Sequence, residues 1–237
     1  MATLAGSRVG VLSFWQKMAL GISAFIVFGF AQFAARGFID YKQAPVVMHL
    51  HGLIMVTWLG LVCTQAMLVG RGNVVLHRRL GWASAVMIPL IVLLASLTCI
   101  TALKAGTFPP FFTAAYFLAT VHVGVLFFAL LVALAVARRR QPEWHRRLMI
   151  GATILIMEPA LGRVLPMPVI TPWGEWLAMV VQLGVAMLIV RHDKRVLRRV
   201  HPATVAVLLL IVVNHVLVEL LARTPAWQGL AAQIAAG

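Results

Sequence analysis

Long apolar runs alternate with short polar, mostly basic segments along this chain. A helix that crosses the hydrocarbon of a bilayer needs about 18 or more residues with few charges. Seven runs meet that length, at roughly 18–35, 46–69, 82–103, 111–137, 148–165, 173–190 and 203–222. None shows the short alternation of barrel strands, and lipid does not tolerate an unpaired backbone. The pattern therefore predicts an all-α membrane protein: one transmembrane domain over residues 1–237, folded as a seven-helix bundle. The connecting segments are too short to house a soluble catalytic domain. Any activity must reside within the membrane or at its edge.

Composition agrees with the pattern. Of the 237 residues, 62% are hydrophobic and 11% charged, with a mean hydropathy of +0.97; a soluble domain has roughly a quarter of its residues charged. The net charge of +14 raises the question of nucleic acid, but the placement of the charge answers it. With the amino terminus inside, fifteen Lys and Arg residues fall on inner segments and five on outer ones. This positive-inside bias predicts a cytoplasmic amino terminus, a periplasmic carboxyl terminus and residence in a bacterial inner membrane. Basic segments against anionic headgroups gain about 1 kcal/mol per residue, so lipid accounts for the charge without nucleic acid. Arg8 and Lys17 before the first apolar run resemble the start of a signal peptide. "FAQFAARG" has no clean small-x-small cleavage site, so the run reads as an uncleaved helix. Cys63 and Cys99 fall inside spans without metal-ligand spacing and read as small core residues.

One word occurs twice on the inner side. "VVLHRRLGWAS" at 74–84 and "PEWHRRLMIGA" at 142–152 share His-Arg-Arg-Leu, beginning at His77 and His145. Each word follows a helix that carries histidine: His49 and His51 before the first, His122 before the second. This suggests a duplicated two-helix unit, helices two and three against helices four and five, related by an axis along the membrane normal. Arginines at an inner helix start set topology and snorkel to phosphates, so HRRL reads as an anchor. His77 and His145 are alternatively ligands or proton-handling groups.

Ionisable groups inside spans are costly and point to function. At 1.5 Å rise per residue, His122, Glu158 and His215 fall within about 5 Å of one depth near the midplane. His51 lies about a turn further out, with His49 and Glu219 nearer the outer surface. Two histidines and a carboxylate at one level match the donors used for Fe, Zn or Mn. His49 and His51 are further candidate ligands if the helix start after Pro45 is irregular; on a regular helix their rings diverge. The same groups would also suit a proton path, or would simply pair with one another between helices. Pro159, following Glu158, frees a backbone carbonyl for another partner.

Histidines on four successive helices, two towards the outside and two towards the inside, resemble the ascorbate-reducible di-haem cytochrome b family over roughly residues 46–165. The resemblance implies haem b held by His51 with His122 and by His77 with His145, electron transfer, and a quinone or redox protein as partner. By helical rise, His51 and His122 differ in depth by about 8–9 Å, and the HRRL histidines fall in arginine-rich connecting segments. His51, Trp58, Gln65, Leu68 and "LHRRLG" at 76–81 also resemble a family of bacterial polytopic membrane proteins without an established activity.

Other membrane functions lack their residues. The last span has no lysine for a retinal Schiff base, and no HxxxH or HxxHH desaturase box occurs. Walker, G-x-S-x-G and HExxH words are also missing. The reading that follows is an intramembrane His/Glu site binding haem or a transition metal for electron transfer. The alternatives are a small-solute or proton transporter and a non-catalytic scaffold.

Overall fold

The computed structural model describes residues 11–38, 40 and 42–237; Arg8 lies outside them. All regular structure among the described residues is helical. In chain order the helices are α1 (Phe14–Ala35), α2 (Val46–Gly70), α3 (Val74–Gly81), α4 (Ala83–Lys104), α5 (Ala114–Ala137) and α6 (Pro142–Leu155). They continue with α7 (Glu158–Val164), α8 (Met167–Ile170), α9 (Gly174–Leu197), α10 (Pro202–Ala222) and α11 (Pro225–Ala235). Among the described residues six stretches are long and apolar enough to cross a membrane: α1, α2, α3 with α4, α5, α9 and α10.

The helix starts follow local chemistry. Ser13 and Gln16 form a reciprocal capping box at α1, and the Thr113 hydroxyl accepts the Tyr116 N–H at α5. Proline opens α6, α10 and α11, where its missing N–H costs nothing. Both HRRL words are helical rather than connecting segments. The Asn73 side chain accepts the Leu76 N–H and starts α3 at Val74, three residues before His77; the second word lies in the first turns of α6.

The expected fifth span, 148–165, is broken into α6 and α7 at Ile156-Met157. Pro159 has no N–H to give the Leu155 carbonyl one turn back. Gln182 of α9, itself fully buried, supplies the missing donor: its Nε2 bonds the Ile154 oxygen at 3.1 Å and the Leu155 oxygen at 3.0 Å. The carbonyl released by proline is thus satisfied by a neighbouring helix, as lipid requires.

Helices α1, α2, α4, α5 and the α6–α7 pair pack in sequence around a ring, α7 and α6 closing it against α1. Outside the ring, α10 packs on α5 and α6, and α9 packs on α6, α7 and α10. Small residues permit the closest approaches: Gly29 of α1 lies against Ala160 of α7, and Gly151 of α6 against Val207 of α10. Trp58 of α2 meets Phe128 of α5 edge to face, centroids 5.3 Å apart, in the middle of the core. Outward, Leu53, Val86, Leu126, Val180 and Leu209 expose more than half their surface. Apolar surface of that extent around a whole bundle belongs in lipid; the chain is a multi-pass helical membrane protein.

The two ends of the bundle differ. At one end gather the start of α1, the end of α2, both HRRL words, the end of α9 and the start of α10. At the other end Gln32 reaches the Arg163 carbonyl, Tyr116 meets Glu219, and Trp227 of α11 donates to the Ala115 oxygen. They are called below the HRRL end and the far end.

Candidate functional site: paired histidines and buried polar nodes

The two HRRL words meet. The rings of His77 and His145 lie 6.1 Å apart, centre to centre, with planes at 87°. His145 Nδ1 stands 2.9 Å from the Ala135 oxygen; a carbonyl only accepts, so Nδ1 carries the proton and Nε2 keeps its lone pair in the neutral ring. His77 Nδ1 is buried with no hydrogen-bond partner among the described residues. On the other two histidine helices, His122 Nδ1 donates to the Leu118 oxygen at 2.9 Å, again leaving Nε2 as the acceptor nitrogen. His51 is half-buried, its Nδ1 enclosed and without a partner among the described residues, whereas His49 is exposed.

Depths revise the estimate made from span ends. Helices α2 and α5 run in the same direction and touch at Trp58 and Phe128. Counting back from that contact, His51 lies about 10 Å and His122 about 9 Å towards the far end. The two histidines therefore share a level, which the apparent offset of 8–9 Å had obscured. That offset arose in part because α5 begins at Ala114 rather than at 111, and in part because α2 and α5 start at different heights.

The expected midplane set does not assemble. Among the described residues no group of three or more His, Cys, Asp or Glu side chains converges as a metal site. His122, Glu158, His215, His49 and His51 are therefore not gathered around one point. His215 has a different task, set by Pro159. Gln182 spends its amide N–H groups on the α6 carbonyls, so its Oε1 accepts from His215 Nε2 at 2.9 Å. His215 is thereby held as the Nε2-protonated tautomer, the third member of a buried chain from the helix break through Gln182.

A second buried node lies at the HRRL end, and the sequence reading missed it. Arg147 of the second word is 1% exposed and pairs with Asp193 of α9, whose side chain is fully enclosed. The Asp193 carboxylate also accepts the Thr204 hydroxyl at 2.6 Å and the His201 N–H at 3.0 Å. Arg147 further pairs with Glu143, and the guanidinium groups of Arg146 and Arg147 lie over the Trp15 ring. Burial works against the Glu143 charge, but hydrogen bonds and attraction from Arg147 and Arg146 outweigh it and hold the carboxyl below its ordinary range. Burial, then the nearby Arg147 charge, lowers His201 below the usual histidine value, although Asp193 and Glu143 pull the other way. The same positions in the first word, Arg78 and Arg79, are exposed. Identical words thus bring their histidines together, while their arginines do different work. The clue in the sequence was a single aspartate inside the basic run "RHDKR".

Two more residues escaped notice. Gln182 was visible as one polar residue in an apolar run, but nothing linked it to Pro159. Glu175 is 7% exposed in the first turn of α9, a position where acidic residues are common for local reasons. No protein-family model matches the chain, and neither the curated proteins nor the solved structures compared with it include a match.

Proposed function

We propose that this protein crosses a bacterial inner membrane seven times, with the HRRL end in the cytoplasm, and binds haem b between paired histidines for electron transfer. The observation that carries this reading is the meeting of His77 and His145. Two imidazole nitrogens each about 2 Å from one iron would put their ring centres about 6 Å apart, so His77 and His145 would hold a haem iron between them. The 6.1 Å separation fits that value. His145 has the outer partner expected of a ligand, since a hydrogen bond from Nδ1 to a carbonyl orients the ring and leaves Nε2 for the metal. His122 has the same arrangement. His51 and His122, at one level, form the second pair.

Two donors from the protein suffice for haem, because the macrocycle supplies the other four nitrogens, whereas a bare ion of Fe, Zn or Mn requires a larger set of side chains. Bound haem supplies one-electron chemistry. The chain's own residues orient the ligands: Ala135 and Leu118 fix the tautomers, and the Arg147–Asp193 node holds the turn of α6 that carries His145. Arg78 and Arg79, exposed beside His77, suit carboxylates or anionic headgroups. A quinone or a redox protein is the partner class. Seven passes follow if α6 and α7 together count as one crossing, and the basic HRRL end sets the orientation by the positive-inside rule.

The test is the reduced-minus-oxidised absorption spectrum of protein purified from haem-replete cells. A Soret band is expected, with part of the absorbance lost in His77→Ala or His145→Ala and a separate part in His51→Ala or His122→Ala. A colourless preparation overturns the reading, as does an unchanged spectrum in all four variants.

A further inference from the structure

The far end of the bundle carries a polar cluster that the histidine pairs do not use. Tyr116 of α5 donates its hydroxyl to Glu219 Oε1 of α10 at 2.9 Å. The other Glu219 oxygen accepts from Arg223 at 2.7 Å, and Arg223 is 77% exposed. Glu219 therefore lies between solvent and interior. Inside it, Glu175 of α9 is 7% exposed, and its Oε1 is buried without a partner among the described residues. Glu158, at the first position of α7 after the helix break, lies within electrostatic reach of Glu175, as does Glu219. Thr120, one turn along α5 from Tyr116 and so on the face that meets α10, is also 7% exposed, with a hydroxyl that has no partner among the described residues.

These groups do not balance as ions. Three carboxylates stand against Arg163, which is near Glu158, and the exposed Arg223. A buried carboxylate without a matching cation is costly and is tolerated only by binding a cation or a proton. The three do not converge as metal ligands, which favours the proton. The unpartnered Thr120 hydroxyl, which can both donate and accept, suits a carboxyl group that changes protonation state.

We propose that Glu219, Glu175 and Glu158 form a proton-binding relay leading from the far end to the α6–α7 break, with Tyr116 and Thr120 as its hydrogen-bonding wall. A proton leaves water at the Glu219–Arg223 surface and bonds a carboxylate oxygen, giving a carboxylic acid; release reverses the step and no electron moves. The groups around it are Tyr116 and Thr120 from α5, Glu158 and Arg163 from α7, Glu175 from α9, and His215, Glu219 and Arg223 around α10. Of these, His215 is already committed to Gln182.

The relay can be read by infrared difference spectroscopy on the full-length protein in lipid nanodiscs, titrated with acid and base. This measurement needs no haem, so its failure is distinct from failure of the electron-transfer reading. At neutral pH the wild type is expected to show a carboxylic-acid carbonyl band that shifts in heavy water. The band should weaken in Glu175→Gln and Glu158→Gln and persist in Asp40→Asn, an exposed control. Tyr116→Phe, which keeps the ring and deletes the hydroxyl, should displace the titration of the band. Absence of the band from the wild type at neutral pH overturns the proposal. A band unaltered by Tyr116→Phe and by both glutamate variants does so too, and so does collapse of the band on adding sodium chloride at fixed pH, which would make the ligand a metal cation. If a glutamine variant fails to fold, the wild-type titration and Tyr116→Phe decide.

Discussion

Removing the Asp193 side chain tests whether the HRRL end is held by a buried ion pair. In Asp193→Ala the Arg147 guanidinium, 1% exposed, keeps only Glu143, 44% exposed, as its counter-charge. The Thr204 hydroxyl and the His201 N–H lose their acceptor as well. Breaking one side of a buried pair costs about 3–5 kcal/mol, and the surviving Glu143 contact points to the lower figure. At about 2–4 °C per kcal/mol for a chain of this size, the Tm should fall by about 6–12 °C. The double variant Arg147→Met with Asp193→Leu leaves no stranded charge at this pair. It should be more stable than the two single losses added together, with a coupling of about 2 kcal/mol. Arg79→Ala, at the matching exposed position of the first word, should leave the Tm where it is. The assay is thermal unfolding in detergent for the wild type, Asp193→Ala, Arg79→Ala, the single variants Arg147→Met and Asp193→Leu, and their double, followed by intrinsic fluorescence and by the monodisperse fraction on gel filtration. A Tm within about 2 °C of wild type for Asp193→Ala, or a cycle additive within about 0.5 kcal/mol, would refute the reasoning.

Gln182→Leu removes two donors to the broken helix and the acceptor of His215. At about 0.6 kcal/mol per intramembrane hydrogen bond it should cost about 2 kcal/mol. Adding Pro159→Ala, which returns an N–H to the Leu155 carbonyl, should recover part of that loss in the same unfolding assay; no recovery would show that proline is not the origin of the break. Acid should also act through His201, whose Nδ1 caps α10 by accepting the Ala203 N–H at 3.1 Å. Its folded-state pKa is depressed by burial and by Arg147, so the unfolded chain takes the proton first. The cap's stability is therefore complete above about pH 6.5 and lost as pH falls below it. His201→Ser keeps a cap acceptor without a titrating group and should flatten the Tm between pH 6.5 and 5; an unchanged slope would exclude His201 as its source.

How far the candidate site could be read from the sequence depended on the range of each interaction. His77 and His145 are visible as a repeated word, and the resemblance to di-haem cytochromes implies their pairing. In space their two rings lie 6.1 Å apart. His122, Glu158 and His215 illustrate the opposite case. Depth along a helix places residues at a level, but facing is a matter of rotation and of which helices are neighbours. His215 turned to Gln182, and Glu158 lies near Glu175 and Glu219 instead. Even depth failed where span ends were taken as equal heights, as for His51 and His122.

By itself the sequence determined the environment, the helical class, the basic end and most of the spans, because these depend on local composition and on the demand of lipid for a satisfied backbone. It also announced the weak point at Pro159, since a missing N–H is a property of one residue. Only the tertiary structure decided which partner repaired that point, which of two identical words buried its arginine, and which carboxylates were brought together. Those outcomes rest on contacts between helices far apart in the chain. Gln182 reaches back to Ile154 and Leu155, Arg147 reaches Asp193, and Tyr116 reaches Glu219, and no periodicity along one helix encodes which neighbour its polar face will meet.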